Sequence, residues 1–351
     1  MAEKSALDGL LVIDKPGLGR DLSRAAAGDL PTSHDVVQRV RRWSRQPRIG
    51  HTGTLDPMAS GVLVLCLGVA TRLVEYYQGH DKVYTACVTL GTTTDTYDAL
   101  GEVTASHPVG HLSVEAIEAV LARFRGEFAQ RPPIYSALKQ GGESLHRKAR
   151  RGEEVTVETR PVTVHRLELL GAGPELEASA PGPELEASAP DAEPGAYASG
   201  ADIWLRVACG AGFYVRSLAY DIGEALGVGG HLSYLRREAA GHFTVADAHT
   251  LAAVESAARD GNLASLLLAP GVGLDLPRLL LDAEDARRLG LGQRVWLPAG
   301  APPSSAGGVV QAVDADGRLL GIVRVLDEST ASGGGLLCKA EKGLAPQIHS
   351  D

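Results

Sequence analysis

The 351-residue sequence is poor in cysteine, and aromatic residues make up only 5% of the chain. Its four cysteines are far apart and form no Cys-x-x-Cys pair, which indicates neither a zinc site nor a disulfide framework. No apolar run reaches the roughly 18 residues of a membrane-spanning helix, and the N-terminal residues lack the apolar segment of a signal peptide. We therefore expect a cytoplasmic protein without a membrane role.

Short motifs that hold common cofactors are also missing. There is no Walker-type phosphate loop, no Gly-x-Ser-x-Gly, no His-Glu-x-x-His and no strand-anchored Gly-x-Gly-x-x-Gly. The 11 histidines are scattered without a metal-ligand spacing. We therefore expect chemistry that uses ordinary side chains, with no metal and no cofactor.

Charge is unevenly distributed along the chain. The net charge of −9 argues at first against a nucleic-acid partner, but seven acidic residues and no basic ones lie in residues 173–202. Elsewhere the basic residues form two clusters, Arg39, Arg41, Arg42, Arg45 and Arg48 in the first and Lys139, Arg147, Lys148, Arg150 and Arg151 in the second. Local patches of this kind can bind phosphates whatever the total charge. Two solvated helix faces would give the same pattern.

The hydrophobic pattern mixes strands and helices without regular βαβ order. It predicts strands at 10–14, 61–67, 83–90, 162–169 and 203–208, and helices at 36–43, 112–124, 217–226 and 251–268. These elements favour an α+β fold with a mixed, largely antiparallel sheet flanked by helices. After about residue 250, a helix at 282–289, a strand at 293–297 and a hairpin at 309–325 predict a small β-rich module.

Two segments resemble insertions. Residues 173–181 and 182–190 repeat the nonapeptide GPELEASAP, whose composition cannot bury a core. We expect residues 171–200 to form a disordered loop between two paired strands. Residues 17–31 would either contact a nucleic acid or form a second, solvated excursion, and we expect the excursion.

The segment 48–61 is unusually dense in glycine, threonine and proline and precedes an apolar run. Asp56 stands before Pro57, which biases its backbone away from helix and places the carboxylate on a constrained loop. An Asx turn in which Asp56 accepts from local amides would explain this segment structurally. A catalytic carboxylate would explain it functionally.

Eight motifs in order carry a family resemblance. They are LLVIDKP (10–16), TSHDVV (32–37), HTGTLDPMASG (51–61), DKVY (81–84), LGTTTDT (90–96), RPPIYSALK (131–139), GFYVRSL (212–218) and YLRR (234–237). Together they resemble the TruB family of tRNA pseudouridine synthases over residues 9–250. The resemblance implies conversion of a specific uridine, U55 in the TΨC loop of tRNA, to pseudouridine.

The resemblance also implies roles for individual residues. Asp56 would be the catalytic carboxylate, with Arg216 as its basic partner, and Tyr84 would stack on the flipped base. His51, Tyr214 and Leu235 would line the uridine pocket, with Lys15 near its floor. Without the resemblance, Tyr84 and Leu235 would be ordinary strand and core residues. We expect Tyr214 and Arg216 to share one face of an extended segment.

For the whole chain, the resemblance implies a catalytic domain over residues 1–250 with insertions at about 17–31 and 171–200. A connector at 251–277 and a PUA-like domain at 278–351 would follow. The T arm of tRNA would be the partner, and we expect a monomer with no obligatory protein partner. The sequence leaves open whether Asp56 attacks the sugar or base or abstracts a proton. Two alternatives are a guide-dependent pseudouridine synthase and a tRNA-folding chaperone in which catalysis is secondary.

Overall fold

The computed structural model describes residues 7–19, 30–110, 112–136, 139–140, 143–144, 151, 157–172, 202–298, 307–329 and 335–344. The α-helices of these residues are α1 (Ser33–Ser44), α2 (Val74–Gln78), α3 (Val114–Leu121), α4 (Val215–Leu226), α5 (Leu251–Arg259) and α6 (Ala283–Gly290). Within the same ranges, no helix is long and apolar enough to cross a membrane.

The strands up to residue 172 are β1 (Gly9–Lys15), β2 (Ile49–His51), β3 (Ser60–Leu67), β4 (Lys82–Leu90), β5 (Thr92–Thr94), β6 (Val103–Ser106), β7 (Gly126–Gln130), β8 (Lys139–Gln140), β9 (Glu143–Ser144) and β10 (Arg160–Ala172). The later strands are β11 (Asp202–Cys209), β12 (Gly230–Ala240), β13 (Phe243–Thr244), β14 (His249–Thr250), β15 (Arg278–Leu280), β16 (Val295–Pro298), β17 (Val309–Val313), β18 (Leu319–Ser329) and β19 (Gly335–Gly343).

The larger sheet has the order β14-β1-β3-β12-β4-β11-β10-β7, with β2 paired to β3 and β13 to β12. Two of its pairs, β1 with β14 and β3 with β12, are parallel and the others are antiparallel. This confirms the predicted α+β class with a mixed, largely antiparallel sheet. The antiparallel pairing of β10 with β11 agrees with the predicted strands around the acidic repeat. The repeat itself lies outside the described residues.

Both faces of β1 and β3 are buried, which explains their continuous apolar runs. On β1, Leu11 and Ile13 join the core beneath the helices, whereas Leu10 and Val12 point to the opposite face. That opposite face packs against residues of the C-terminal sheet, including Leu319. The sheet is therefore covered on both faces at β1 and β3, whereas the Arg206 side chain on β11 remains 45% exposed.

The C-terminal sheet has the order β15-β17-β18-β19-β16 and encloses a small core of its own. The predicted hairpin corresponds to β17 and β18, which are antiparallel. The β-rich module that the sequence predicts is therefore present. The predicted helix 251–268 is too long, because α5 ends at Arg259 and Gly261 follows with a φ of 73°. A short 3₁₀ helix, Leu263–Leu266, takes up the rest of that run.

The two ends of the segment 17–31 are anchored rather than solvated, which differs from the expectation. Leu18 is fully buried, and its amide donates to Met58 O at 2.9 Å. At the other end, Leu30 packs against the main core. Residues 20–29 lie outside the described part of the chain.

Candidate active site

A cleft of about 550 Å³ lies beside the central strands β4 and β12 of the main sheet. Its walls come from the loop before β3, from β4 and β12, and from the start of α4. The residues that line it are Thr52, Gly53, Thr54, Leu55, Asp56, Pro57, Gln78, Lys82, Tyr84, Tyr135, Ser136, Gly210, Gly212, Phe213, Tyr214, Val215, Arg216, Leu235 and Arg237. Five of the seven predicted site residues are among them.

The loop that carries Asp56 is held from below by α1 and β1. Ser33 Oγ accepts from Leu55 N at 2.8 Å and donates to Leu55 O at 3.0 Å. Lys15 is fully buried and donates from Nζ to Pro57 O at 3.1 Å and Ala59 O at 2.7 Å. Burial lowers the pKa of Lys15 to about 8, although the Asp56 carboxylate counteracts part of this shift. Lys15 therefore lies under the loop and not in the cleft.

Arg237 on β12 holds the same loop from the sheet side. This buried arginine donates from Nε to Val62 O at 2.7 Å and from Nη2 to Gly53 O at 3.1 Å. Its backbone also passes so close to Gly61 that a Cβ there would lie 2.2 Å from Arg237 O. Because Gly61 has a φ of 99° as well, this position requires glycine. The resemblance gave Arg237 a place in a motif but no role.

Arg216 forms a two-pronged ion pair with Asp56 at the bottom of the cleft. Its Nε donates to Asp56 Oδ2 at 2.9 Å and its Nη2 to Oδ1 at 3.0 Å. The Arg216 side chain is 6% exposed, whereas that of Asp56 is 29% exposed. Paired bonds of this kind fix the plane of the carboxylate. The arginine side chain is thus almost fully buried, whereas the carboxylate is partly exposed to the cleft.

The expectation that Arg216 lies on an extended segment is wrong. Only Tyr214 is extended, as the residue that precedes α4, and Arg216 lies in the first helical turn. The backbone of Tyr214 is held by the Gln130 side chain, which accepts from Tyr214 N at 2.9 Å and donates to Tyr214 O at 3.0 Å. Tyr214 and Arg216 both reach the cleft from this helix start.

The remaining donors of Arg216 bind the loops around it. Its Nη1 donates to Thr96 O at 3.1 Å, and its Nη2 donates to Tyr135 O at 2.9 Å. Its Nη1 also lies 3.6 Å from Oδ2 of Asp98, a buried carboxylate. Burial raises the pKa of the Asp98 carboxyl above its usual range, and Arg216 counteracts part of that rise. Asp98 was not singled out from the sequence, where it follows the LGTTTDT motif.

Tyr84 and Leu235 form the inner wall of the cleft from neighbouring strands. Leu235 on β12 is 5% exposed, and Tyr84 on β4 is 9% exposed. Burial raises the pKa of the Tyr84 phenol, and the positive charge of Arg237 counteracts part of the rise. An aromatic ring and an aliphatic side chain here give a flat, planar group an apolar surface to contact.

His51 is brought close to the cleft but is not among its lining residues. It ends β2, directly before Thr52, and its Nδ1 is a buried nitrogen without a partner in the described structure. Burial lowers the pKa of His51, and Arg237 and His34 lower it further. The structure therefore places His51 and Lys15 beside the cleft and the other five predicted residues at its surface.

The described residues contain no group of three or more His, Cys, Asp or Glu side chains that could hold a metal ion. The carboxylate of Asp56 is held rigidly and is open to a bound molecule, which are the requirements for a nucleophile or a general base. An oriented carboxylate at the surface of a cleft is the arrangement found in enzyme active sites.

Comparisons with known proteins identify the family. Residues 41–181 match the TruB family pseudouridylate synthase N-terminal domain, and residues 216–286 match the tRNA pseudouridylate synthase B C-terminal domain. A tRNA pseudouridine synthase B from Burkholderia mallei is 40% identical over 92% of this chain and 94% of its own. One from Corynebacterium aurimucosum is 38% identical over the same shares. The chain belongs to the TruB family of pseudouridylate synthases.

Solved structures share the fold. A chain of a Cbf5–Nop10–Gar1 complex has a TM-score of 0.68 and 25% identity, covering 97% of this chain and 86% of that one. A chain of an H/ACA RNP bound to a substrate RNA containing 2′-deoxyuridine has a TM-score of 0.67 and 24% identity, covering 98% and 87%. This likeness extends over almost the whole chain.

Proposed function

We propose that this enzyme converts U55 in the T arm of tRNA to pseudouridine, with Asp56 as the catalytic carboxylate. The observation that carries the proposal is the Asp56–Arg216 pair at the base of a cleft walled by Tyr84 and Leu235. The names of the relatives, which cover more than nine-tenths of this chain, support tRNA as the substrate.

The reaction is an isomerisation and balances without a co-reactant. The bond between the ribose C1′ and uracil N1 breaks, the uracil turns, and a bond between C1′ and C5 forms. The proton on C5 is lost and N1 gains one, so nothing is oxidised or reduced. The target uridine must leave the base stack to reach Asp56, which costs a few kcal/mol. Stacking on Tyr84 and contact with Leu235 would offset part of that cost.

The first basic cluster supplies a surface for RNA phosphates. Arg39, Arg42, Arg45 and Arg48 are exposed on and after α1. Arg41 is different, because it is half-buried and donates from Nη2 to Ile49 O at 2.9 Å. The start of α1 is joined to the Asp56 loop through Ser33, so the helix leads from the cleft to this basic surface. Most of the second cluster lies outside the described residues.

We further propose that residues 278–351 form a PUA-like RNA-binding domain and that the enzyme acts as a monomer in the cytoplasm without a protein partner. The β-rich C-terminal sheet with its own core supports the first part. A guide-dependent enzyme would require partner proteins and a guide RNA, so purified protein mixed with an unmodified tRNA transcript separates the two.

Substitution of Asp56 tests the assignment directly. We expect Asp56→Asn to abolish pseudouridine formation, because asparagine keeps the shape but lacks the carboxylate charge. The affinity for tRNA should change by less than about tenfold, since phosphate contacts dominate binding. Turnover within tenfold of wild type would refute the role of Asp56. Complementation of a strain that lacks the enzyme by Asp56→Asn would favour a tRNA-folding chaperone.

A further inference from the structure

The helix that carries Arg216 contacts the loop around Asp98 at a second point. Tyr220 stacks on Tyr97, with the ring centroids 4.2 Å apart and the planes inclined by 24°. Arg216 and Tyr220 are four residues apart in α4, so their side chains leave the same face of the helix. The same face of α4 therefore contacts residues 96–98 twice, through the Arg216 guanidinium and through the Tyr220 ring.

Tyr97 has a left-handed backbone with a φ of 63°. Among the described residues other than glycine, it shares a positive φ only with Arg45, and such a conformation is uncommon for a residue with a bulky side chain. It is a conformation that surrounding structure must maintain. The stack with Tyr220 supplies such a restraint.

In the sequence, Tyr97 lies between Thr96 and Asp98, the two residues whose oxygen atoms approach Arg216 Nη1. The carbonyl of Thr96 accepts from Nη1 at 3.1 Å, and Asp98 Oδ2 lies 3.6 Å from the same atom. Thr96 Oγ1 also donates to Asp98 Oδ1 at 2.8 Å, which ties the two residues together across Tyr97. A change of the Tyr97 backbone would turn the Thr96 carbonyl and the Asp98 carboxylate away from one another.

We propose that the Tyr97–Tyr220 stack is a positioning device that fixes Arg216 and, through it, the plane of the Asp56 carboxylate. Neither tyrosine is among the residues that line the described cleft, so the stack acts without touching the uridine. This inference rests on the proposed function, because the geometry it fixes is that of the catalytic carboxylate.

The test compares variants that remove the aromatic ring of Tyr97 or Tyr220 with variants that keep it. We expect Tyr220→Ala and Tyr97→Gly to lower the single-turnover rate at saturating tRNA by about tenfold or more, with KM changed by less than about threefold. Glycine adopts the left-handed conformation freely, so Tyr97→Gly removes the ring with little disturbance of folding. Tyr220→Phe and Tyr97→Phe keep the stack and should remain within about twofold of wild type.

Phe243→Leu is a matched control, because it removes an aromatic contact with Tyr77, at 6.1 Å, on the opposite face of the sheet. It should lower the melting temperature without lowering the rate of the folded enzyme. If Tyr220→Ala likewise lowers only the melting temperature, the stack is structural and the inference is wrong. If the Phe variants lose as much rate as Ala and Gly, the hydroxyl groups and not the stack are responsible. A wild type that forms no pseudouridine would overturn the proposed function as well.

Discussion

Replacing Arg216 with lysine separates the geometry of the cation that pairs with Asp56 from its charge. Arg216 makes two bonds to Asp56, and its other donors satisfy Thr96 O and Tyr135 O. A lysine keeps the positive charge but has one nitrogen, which cannot reproduce the planar fork on both carboxylate oxygens. The Asp56 carboxylate would therefore keep a cationic neighbour, but its orientation would no longer be fixed by two hydrogen bonds.

The size of the effect follows from the bonds that are lost. A hydrogen bond to a charged group contributes about 1.5–3 kcal/mol, and lysine loses at least one of the two bonds to Asp56. A loss of about 2–3 kcal/mol from the transition state corresponds to a rate lowered roughly 30- to 150-fold. The affinity for tRNA should hardly change, because Arg216 is buried and its donors are bonded to protein groups.

The assay is single-turnover pseudouridine formation at saturating tRNA, together with tRNA binding at several salt concentrations. Arg125→Lys is the matched control, since Arg125 forms an exposed ion pair with Glu118 at 2.8 Å and should tolerate lysine. An Arg216→Lys enzyme with a wild-type rate and a weaker salt dependence of binding would show that Arg216 contacts phosphate. That result would refute its assignment as the partner of Asp56.

Two further predictions address binding and stability. Arg39→Gln combined with Arg42→Gln should weaken tRNA binding and lower the slope of log affinity against log salt by about 1.5–2, because each phosphate contact releases counterions. The exposed Arg259→Gln variant is the control. An unchanged slope would show that α1 does not contact the RNA. The unfolding free energy of wild type should rise relative to Lys15→Met between about pH 8 and 10.5, by at most about 3.4 kcal/mol. In that window the unfolded lysine holds a proton that the folded one has released. A pH-independent difference in denaturant titrations would contradict the lowered pKa of Lys15.

The order of elements and the family were accessible from the sequence, because they depend on local patterns. The apolar run of β3 and the cap of α1 are examples. The Thr32 side chain accepts from Asp35 N, and the Asp35 side chain accepts from Thr32 N, so a four-residue motif determines where the helix begins. Such signals need no knowledge of distant residues.

The start of α4 shows why the site geometry was less accessible. Residues 212–215 read as extended because Phe, Tyr and Val favour strands, and no side-chain cap marks the helix start. The bonds that fix Tyr214 come from Gln130, 84 positions earlier in the chain. The partners of Arg237 are also distant in the sequence. Its bonds to Gly53 O and Val62 O depend on the pairing of β12 with β3, which no local pattern indicates.

The basic residues around the Asp56 loop contrast with the acidic total charge of the chain. Lys15, Arg216 and Arg237 are buried around the Asp56 loop, and Lys82, which lines the cleft, is nearly buried as well. Burial lowers the pKa of Lys82 to about 8, and the positive charge of Arg237 lowers it further. Charges in a low-dielectric wall act over longer distances than exposed ones. The net charge of −9 therefore does not describe the surroundings of Asp56, where the basic side chains of Lys15, Lys82, Arg216 and Arg237 are buried.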